Sequence, residues 1–435
     1  MEENLDLITS LPNEILKHII SMISFKEAVQ TSTLSTSWRS LFSVLSVNIE
    51  QDLGQANTTQ AKNKLEEIIK AFLQSGESLK LYLSLCNQPF AIATKGAHGE
   101  LHLDFSVQKQ LEKVPSNLSM ILEQSSFSCP AFAYVKILQL KSVPNLVGNL
   151  VNDLFSSCQN LESLKLEKCF GLENLEIKTN GFLKSFEIAD CRNIVRVEIS
   201  AENLNFFSYE GAYAIIQLIE VPNLVDFALN LRDGSGNNAF DCEDALALLC
   251  SVKDVEILTM SSWLLEALCS SGVIFNQLDF QFNNLKELWC VCPKISSKIR
   301  DSLACFLNVT PSLEQLFVKI DETSTSPLEF PLSNQYWHEP HLWKDYATVK
   351  SSAYQLKDLK TIKIIGFKDE KDELLLMDLL LHYAINLKDM TVDSWRVSRI
   401  PYSQLIYVKV KYMLISCPNT SYYFVLTKAK NYNLN

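Results

Sequence analysis

A pattern of apolar residues repeats in the middle of the chain and restricts the folds that this sequence can adopt. In the first copy, apolar residues stand at positions 1, 4, 6 and 9, which are Leu161, Leu164, Leu166 and Cys169. The second copy begins 22 residues later and has the same spacing, with Leu183, Phe186, Ile188 and Cys191. A repeat of this length corresponds to one coil of a solenoid, in which each coil buries its apolar residues only by stacking on its neighbours. The sequence therefore predicts a stack of coils.

Weaker copies of the pattern extend the stack along most of the chain. They begin at Val135, Leu204, Leu224, Val252, Leu285, Leu313, Leu359 and Leu387. The two strong copies resemble the leucine-rich-repeat family position by position. This resemblance implies an α/β solenoid, with parallel strands on the concave face and either strands or helices on the convex face.

The segments between the copies predict what forms the convex side. Strand-like segments at 172–177, 194–199 and 215–219 follow the preceding copies by about eleven residues, too few for a full coil of about 20–29 residues. We therefore predict return strands in the central coils, residues 161–230. Elsewhere, apolar spacing predicts convex helices at 60–74, 244–251, 263–270 and 299–307. Alternation at 79–85 and 100–105 predicts the strands of the first coils.

The first 46 residues have a different pattern, which predicts a separate module of three short helices. Residues 11–23 carry one apolar helix face, Ser24 and Glu27 fit a capping box, and a third helix carries Leu34, Trp38, Leu41, Phe42 and Leu45. Three short helices cannot bury all of this apolar surface against one another. Part of it should therefore face a partner.

The amino-acid sequence of this module resembles that of the F-box family over about 35 residues. Leu11-Pro12-Asn13-Glu14-Ile15-Leu16 resembles the opening of that family, and Trp38-Arg39-Ser40-Leu41 resembles its end. The resemblance implies docking on a Skp-type adaptor, which links to cullin and RING subunits. Carried over by position, the docking residues are Leu11, Pro12, Ile15, Leu16, Ile19, Ala28, Leu34, Trp38 and Leu41. Thr36-Ser37 stands where many plant-like members have a basic pair. The alternative interpretation is a helical cap on the solenoid.

The C-terminal part predicts a strand, a helix and a second strand over residues 356–395. This order resembles the FBD module that follows the repeats in many plant F-box proteins. An ordinary last coil is the alternative. We thus divide the chain into an F-box at 1–46, a leucine-rich solenoid at 47–355, an FBD-like cap at 356–395, and a solenoid end or tail at 396–435.

Composition and charge exclude several other classes of protein. The net charge is −11 and no basic run occurs, so a nucleic-acid binder is disfavoured because it needs a basic footprint. The N-terminus lacks the basic start of a signal peptide, and Asp378 interrupts the apolar stretch at 374–381. We expect no membrane partner and a location in the nucleus, the cytoplasm or both. The twelve cysteines form no CxxC pair and are predicted to be mainly small buried side chains.

No catalytic or metal-binding constellation can be assembled from the sequence. A glycine-rich phosphate loop, a nucleophile elbow and a zinc-protease helix are all missing. His338 and His341 lack further ligands nearby, which is weak support for a metal. The acidic residues at 369–373 are interpreted as a solvated linker and a helix N-terminus. We therefore expect no enzymatic activity, no metal and no cofactor, with any ligase chemistry supplied by partner subunits.

The positions between the apolar residues of each copy predict the residues on the concave face. They are Ser163, Lys165, Ser185, Glu187, Phe206, Ser208, Asp226, Asp254, Glu256, Glu287, Trp289, Gln315 and Phe317. Large aromatic residues are enriched in binding hot spots. Our hypothesis is that an apolar and partly basic target segment binds to Phe206, Asp254, Glu256, Glu287, Trp289 and Phe317. The alternatives are that the aromatic-rich segment 321–353 covers this face, or that a slipped register turns the aromatic residues inward.

Together these features favour the substrate-recognition subunit of an SCF-type (Skp–cullin–F-box) ubiquitin ligase. The module at the N-terminus would bind the adaptor, and the solenoid would bind an unknown target protein. Two alternatives stay open at this point. One is an adaptor-binding scaffold without a role in ubiquitination, and the other is a hormone-type receptor in which a small molecule completes the concave site.

Overall fold

The structure is a computed structural model, and it divides into two compact units. Unit 1 comprises residues 1–204 and 219–222, and unit 2 comprises residues 205–218 and 223–435. The residues that the structure describes are 11, 12, 15, 16, 19, 44–48, 80–85, 88–95, 99–106, 133–143, 146, 151, 152, 155, 158–179, 181–236, 238–321 and 355–394.

Unit 1 is built mainly from strands. These are β1 (Val44–Asn48), β2 (Lys80–Leu85), β3 (Gln88–Lys95), β4 (Glu100–Asp104), β5 (Ile137–Lys141), β6 (Ser163–Glu167), β7 (Asn174–Thr179), β8 (Ser185–Ala189) and β9 (Arg196–Ala201). Its larger sheet has the order β1-β2-β3-β4-β5-β6-β8. Every pair in it is parallel except those of β3, which runs antiparallel to β2 and β4. The two-residue connection between β2 and β3 explains this exception, because such a short link can join only antiparallel strands.

Unit 2 combines parallel strands with helices. The elements are β10 (Phe206–Glu210), β11 (Ile215–Glu220, whose last two residues belong to unit 1), β12 (Asp226–Asn230), α1 (Cys242–Ser251), β13 (Ile257–Ser261), α2 (Ser262–Ser270), β14 (Glu287–Cys292), α3 (Ser297–Leu307), β15 (Gln315–Ile320), β16 (Thr361–Phe367), α4 (Lys371–Tyr383) and β17 (Asp389–Ser394). The strands of its main sheet are all parallel, in the order β10-β12-β13-β14-β15-β16-β17.

The core of each unit is made by the apolar residues of the repeat. In β6, Leu164 and Leu166 are fully buried, while the alternate residues of the strand are half-buried. In unit 2, Phe207 stacks on Phe227 of the neighbouring strand with 5.8 Å between ring centroids. Helix α2 packs against β13, β14 and α3. Strand alternation therefore sends one face of each sheet into the core and leaves the other face open.

Regular hydrogen bonds at the start of most repeat strands hold neighbouring coils together. The backbone N–H groups of Lys286 and Glu287 donate to the carbonyl of Glu256, at 2.8 and 3.1 Å. In unit 1, the amide of Asn160 donates to the carbonyl of Ala133 at 2.8 Å. This pattern satisfies backbone groups that would otherwise be left unpaired between strands.

The predicted convex elements are confirmed where the structure describes them. Return strands occur at β7, β9 and β11, and β7 pairs in parallel with β9. The three predicted helices within 244–307 are α1, α2 and α3, and α1 begins earlier than predicted because the Asp241 side chain caps it at Cys242. The predicted strand–helix–strand order near the C-terminus is β16, α4 and β17. The predicted helix at 60–74, residues 322–353 of the aromatic-rich segment and residues 396–435 lie outside the described residues.

The structure differs from the sequence predictions in three local features. The sequence predicts a helix at Leu45, but this residue lies in β1, where it pairs with Leu81 of β2, because pairing with a distant strand overrides local helical spacing. Strand β3 was not predicted. In the acidic segment at 369–373, Glu373 is buried rather than solvated, and its carboxylate accepts hydrogen bonds from the backbone N–H groups of Lys368 and Glu370 at the start of α4.

The described cysteines behave as predicted. They are free thiols, and all except Cys242 and Cys250 are buried. Cys169 and Cys191, which close the two strong copies of the repeat, donate to the backbone carbonyls of Leu140 and Leu166 at 3.5 and 3.6 Å. Among the helices in the described ranges, none is long and apolar enough to cross a membrane.

Candidate target-binding face

The N-terminal module is described at five of the predicted adaptor-docking residues. The backbone N–H groups of Ile15 and Leu16 donate to the carbonyl of Pro12 at 2.9 and 3.1 Å, which forms a first helical turn. Leu16 is buried at 1% exposure, whereas Ile15 is 47% exposed. Pro12 is exposed, and Leu11 and Ile19 are half-buried. Leu16 is thus a buried residue of this turn, while Ile15 leaves an apolar side chain on the surface. The predicted docking residues outside the described part are Ala28, Leu34, Trp38 and Leu41.

In unit 2, the predicted aromatic residues lie on one face of the parallel sheet. We call this the open face, and it carries the first and third residues of each strand, which are half-buried or exposed, while the second and fourth residues are buried. Phe206 and Glu287 are the first residues of β10 and β14, and Trp289 and Phe317 are the third residues of β14 and β15. The register that would have turned these aromatic residues inward is therefore excluded.

Trp289 and Phe317 form a stacked aromatic pair on the open face. They are directly opposite each other in the register of β14 and β15, with ring centroids 4.2 Å apart and ring planes 7° from parallel. The indole Nε1 of Trp289 donates a hydrogen bond to Oε1 of Glu287 at 2.6 Å. This bond to a carboxylate fixes the orientation of the indole. It uses Oε1 of Glu287 and leaves Oε2 available to a further donor.

Two of the predicted target-binding residues, Asp254 and Glu256, do not lie on the open face. Strand β13 begins only at Ile257, so both precede it: Asp254 is exposed, and Glu256 pairs with Lys286 at 2.8 Å beside the strand starts. The apolar residues Val252, Val255 and Ile257 fit the repeat as well as Val255, Leu258 and Met260, and the structure uses the second set. The open-face positions of β13 therefore belong to Ile257 and Thr259.

Asp226 is an additional acidic residue at this site. It is the first residue of β12 and lies opposite Phe206 on one side and Ile257 on the other, and Glu287 follows on β14. The spacing of the repeat predicts Asp226 on the concave face, but the target-binding hypothesis does not include it. Burial among these neighbours, followed by repulsion from Glu287, raises the pKa of Asp226 to about 6. The environment of the carboxylate therefore opposes its negative charge.

Within the described part of the chain, neither Asp226 nor Glu287 forms an ion pair, in contrast with several other carboxylates on the open faces. In unit 2, Glu210 pairs with Arg232 at 2.7 Å. Lys363 pairs with Asp393 at 3.2 Å. The two carboxylates nearest to Trp289 thus lack a compensating cation among the described residues.

The corresponding face of unit 1 neutralises its own charges. Lys165 pairs with Glu187 at 2.7 Å, and Lys141 lies 3.4 Å from Glu167. His102 and Glu100 are 2.6 Å apart. Ser163 and Ser185 occupy the first positions of β6 and β8 and add no charge. This face therefore offers less unsatisfied charge to a partner than the open face of unit 2.

Replacing Asp226 with asparagine is expected to raise the melting temperature Tm by about 1–2 °C at pH 7.5, with a smaller gain as the pH falls toward 4. Since the pKa of Asp226 is raised from 3.8 to about 6, the native state binds more protons than the unfolded state between these pH values. Stability therefore falls as the pH rises through this window. Differential scanning fluorimetry checks this. Asp389→Asn, at the first position of β17, is the control, and equal gains in both variants would contradict the assignment.

In the ranges that the structure describes, no group of three or more histidine, cysteine or acidic side chains is arranged to hold a metal ion. His338 and His341 lie outside these ranges. The side chains that the open face presents near Trp289 are aromatic and acidic, a combination suited to contact with an apolar or cationic group.

Comparison with known families gives matches for both the N-terminal module and the repeats. Residues 8–50 match the F-box domain. Residues 117–412, more than half of the chain, match the family described as At1g61320/AtMIF1, LRR domain. Proteins with these domains are generally non-catalytic adaptors.

Several proteins of Arabidopsis thaliana are similar to this chain. Putative FBD-associated F-box protein At1g61330 is 25% identical over 255 residues, which cover 57% of this chain and 55% of that protein, so little more than half of that relative is matched. F-box/LRR-repeat protein At2g42730 is 27% identical, covering 63% of this chain and 69% of its own length. F-box/FBD/LRR-repeat protein At4g26340 is 23% identical, covering 85% and 88%. With an F-box match at its start and a leucine-rich-repeat match over most of the remainder, this chain belongs to the At1g61320/AtMIF1 family of F-box proteins with leucine-rich repeats.

Proposed function

We propose that this protein is the substrate-recognition subunit of an SCF-type ubiquitin ligase. The F-box would bind a Skp-type adaptor and, through it, cullin and RING subunits, in the nucleus or the cytosol. The open face of unit 2 would bind the target protein. The match of residues 8–50 to the F-box domain carries this proposal. The half-exposed Trp289–Phe317 stack supports it as the candidate for the second binding surface that a recognition subunit needs.

In this role the chain contributes proximity rather than bond chemistry. Holding a target beside the transferred ubiquitin converts an encounter between separate molecules into a reaction within one assembly. Aromatic side chains on a rigid sheet suit such a task, because they offer a large contact area at a low cost in conformational entropy. The RING and cullin subunits would supply the transfer itself.

Replacing Ile15 with glutamate is expected to weaken binding to the Skp-type adaptor by about 100-fold. Ile15 is 47% exposed, so the substitution leaves the folded module intact but places a charge in an apolar interface. Co-purification of the full chain with the adaptor, followed by titration calorimetry, measures the effect.

Ile385→Glu is the matched control for this experiment. Ile385 is 48% exposed and lies between α4 and β17, so it introduces the same charge at the same exposure away from the F-box. Adaptor binding unchanged by Ile15→Glu would refute this docking surface. Capture of the adaptor without cullin, or without ubiquitin transfer to bound proteins, would instead support a scaffold.

A further inference from the structure

The geometry of the aromatic pair shows where a third planar group would lie. The centroid distance of 4.2 Å between Trp289 and Phe317 is close to the spacing of about 4.8 Å between neighbouring strands. Stacked rings at this spacing stand upright on the sheet, with their planes facing along the direction from strand to strand. One face of the Trp289 indole is covered by Phe317, and the other is directed toward β13.

Small side chains leave room beside that second indole face. The third positions of the neighbouring strands are Thr259 on β13, Ala228 on β12 and Ser208 on β10. The register places Thr259 directly opposite Trp289 and Ala228 directly opposite Thr259. The open face therefore steps down from the two aromatic rings to a row of short side chains, which forms a recess with the indole as its wall.

The recess is bordered by two carboxylates. Asp226 and Glu287 are the first residues of β12 and β14, and Ile257 lies between them in the same register. With one strand between them, their backbones are about 9.5 Å apart. Neither pairs with a cation within the described part of the chain, although Glu210 and Asp393 on the same face do. The row Phe206, Asp226, Ile257 and Glu287 is thus apolar and negatively charged at once.

These features select the chemistry of the group that binds. A guanidinium is planar, stacks on aromatic faces, is weakly hydrated and has five N–H donors that can reach two carboxylates. An ammonium group is compact and strongly hydrated, so it gains less from an aromatic wall. The alkyl stem of an arginine would also cover Thr259 and Ala228.

We infer that the open face of unit 2 binds an arginine side chain of the target protein. The guanidinium continues the stack of Phe317 and Trp289 above Thr259 and donates hydrogen bonds to Asp226 and to the free oxygen of Glu287. Apolar residues next to the arginine in the target contact Phe206 and Phe317. This inference names the recognised side chain and therefore rests on the proposed function of target recognition.

Immobilised nonapeptide libraries provide the test, with arginine, citrulline or lysine fixed at the centre and the other positions randomised. The full chain is passed over each, and the bound fraction is measured. We expect the arginine library to retain about tenfold more protein than the citrulline library, since citrulline has the same shape without the charge. Equal retention of arginine and citrulline, or of arginine and lysine, would overturn the inference.

Three variants test whether the peptides bind in this recess. Asp226→Asn and Trp289→Ala should each reduce retention on the arginine library to the level of the citrulline library, while their circular dichroism spectra stay unchanged. Asp389→Asn, the same substitution at the first position of β17, should retain binding. Unaltered retention by folded Asp226→Asn would overturn the inference.

The result of the library test can be distinguished from a test of the proposed ligase function. Adaptor capture measured on the same protein depends on the F-box and not on the recess. A protein that captures adaptor and cullin but does not discriminate between the libraries refutes the arginine site alone. A protein that discriminates between the libraries but captures no adaptor refutes the ligase role alone.

Discussion

Replacing Phe207 with alanine is expected to lower the free energy of unfolding by about 3–5 kcal/mol. Phe207 is fully buried in β10, and its ring stacks on Phe227 of β12. Removing the ring leaves a cavity that the surrounding coils cannot fill, because each coil is held in place by backbone hydrogen bonds to the next. Urea unfolding followed by tryptophan fluorescence or circular dichroism measures the change.

The adjacent residue provides the control for this prediction. Phe206 points to the open face and is half-buried, so Phe206→Ala should cost less than about 1 kcal/mol. A similar loss in both variants would show that the assignment of buried and open faces in β10 is wrong. The same comparison therefore tests the register on which the candidate site depends.

Replacing Arg300 with alanine is expected to lower the free energy of unfolding by about 3–5 kcal/mol. Arg300 in α3 is only 5% exposed, and its guanidinium lies 2.8 Å from both Asp301 and Asp372 of α4. Burial raises the pKa of Asp301, while Arg300 acts against that shift. Removing the arginine leaves the carboxylates without their shared counter-charge, which costs more than the loss of an exposed pair.

Two further variants separate the causes of this loss. Arg196→Ala removes an arginine with a half-exposed side chain, 3.7 Å from Glu198, and should cost less than about 1 kcal/mol. Asp301→Asn, introduced into Arg300→Ala, should restore part of the stability because it removes one stranded charge. If it restores nothing, the loss comes from the packing of the arginine stem and the electrostatic explanation is incorrect.

Local apolar patterns were sufficient to predict which residues are buried in most strands of the repeat, but not in β13. Where one set of apolar residues fits, as with Leu204, Phe207 and Tyr209, the sequence predicted the strand and its buried face correctly. At β13 two sets fit, three residues apart, and the incorrect one placed Asp254 and Glu256 on the open face. An odd shift reverses the faces of a strand, so only the pairing of β13 with β12 and β14 could decide.

The candidate site also combines features that local spacing predicts with features that only strand pairing determines. Spacing within a single repeat predicted that Trp289 and Phe317 face away from the core, since alternation along a strand is a local property. Their stacking and the bond from Trp289 to Glu287 depend on the alignment of two strands that are joined by a helical connection. The length of that connection does not specify the alignment.

By itself, the sequence determined the coil repeat, the apolar residues that fill it and the F-box at the start of the chain, because each is encoded in residues close together. The tertiary structure alone decided which acidic residues lack a cation beside the aromatic stack. Asp226 acquires its unusual environment from Phe206, Ile257 and Glu287, which lie on three other strands. Burial and charge compensation are sums over neighbours in space, and those neighbours are known only once the coils are stacked.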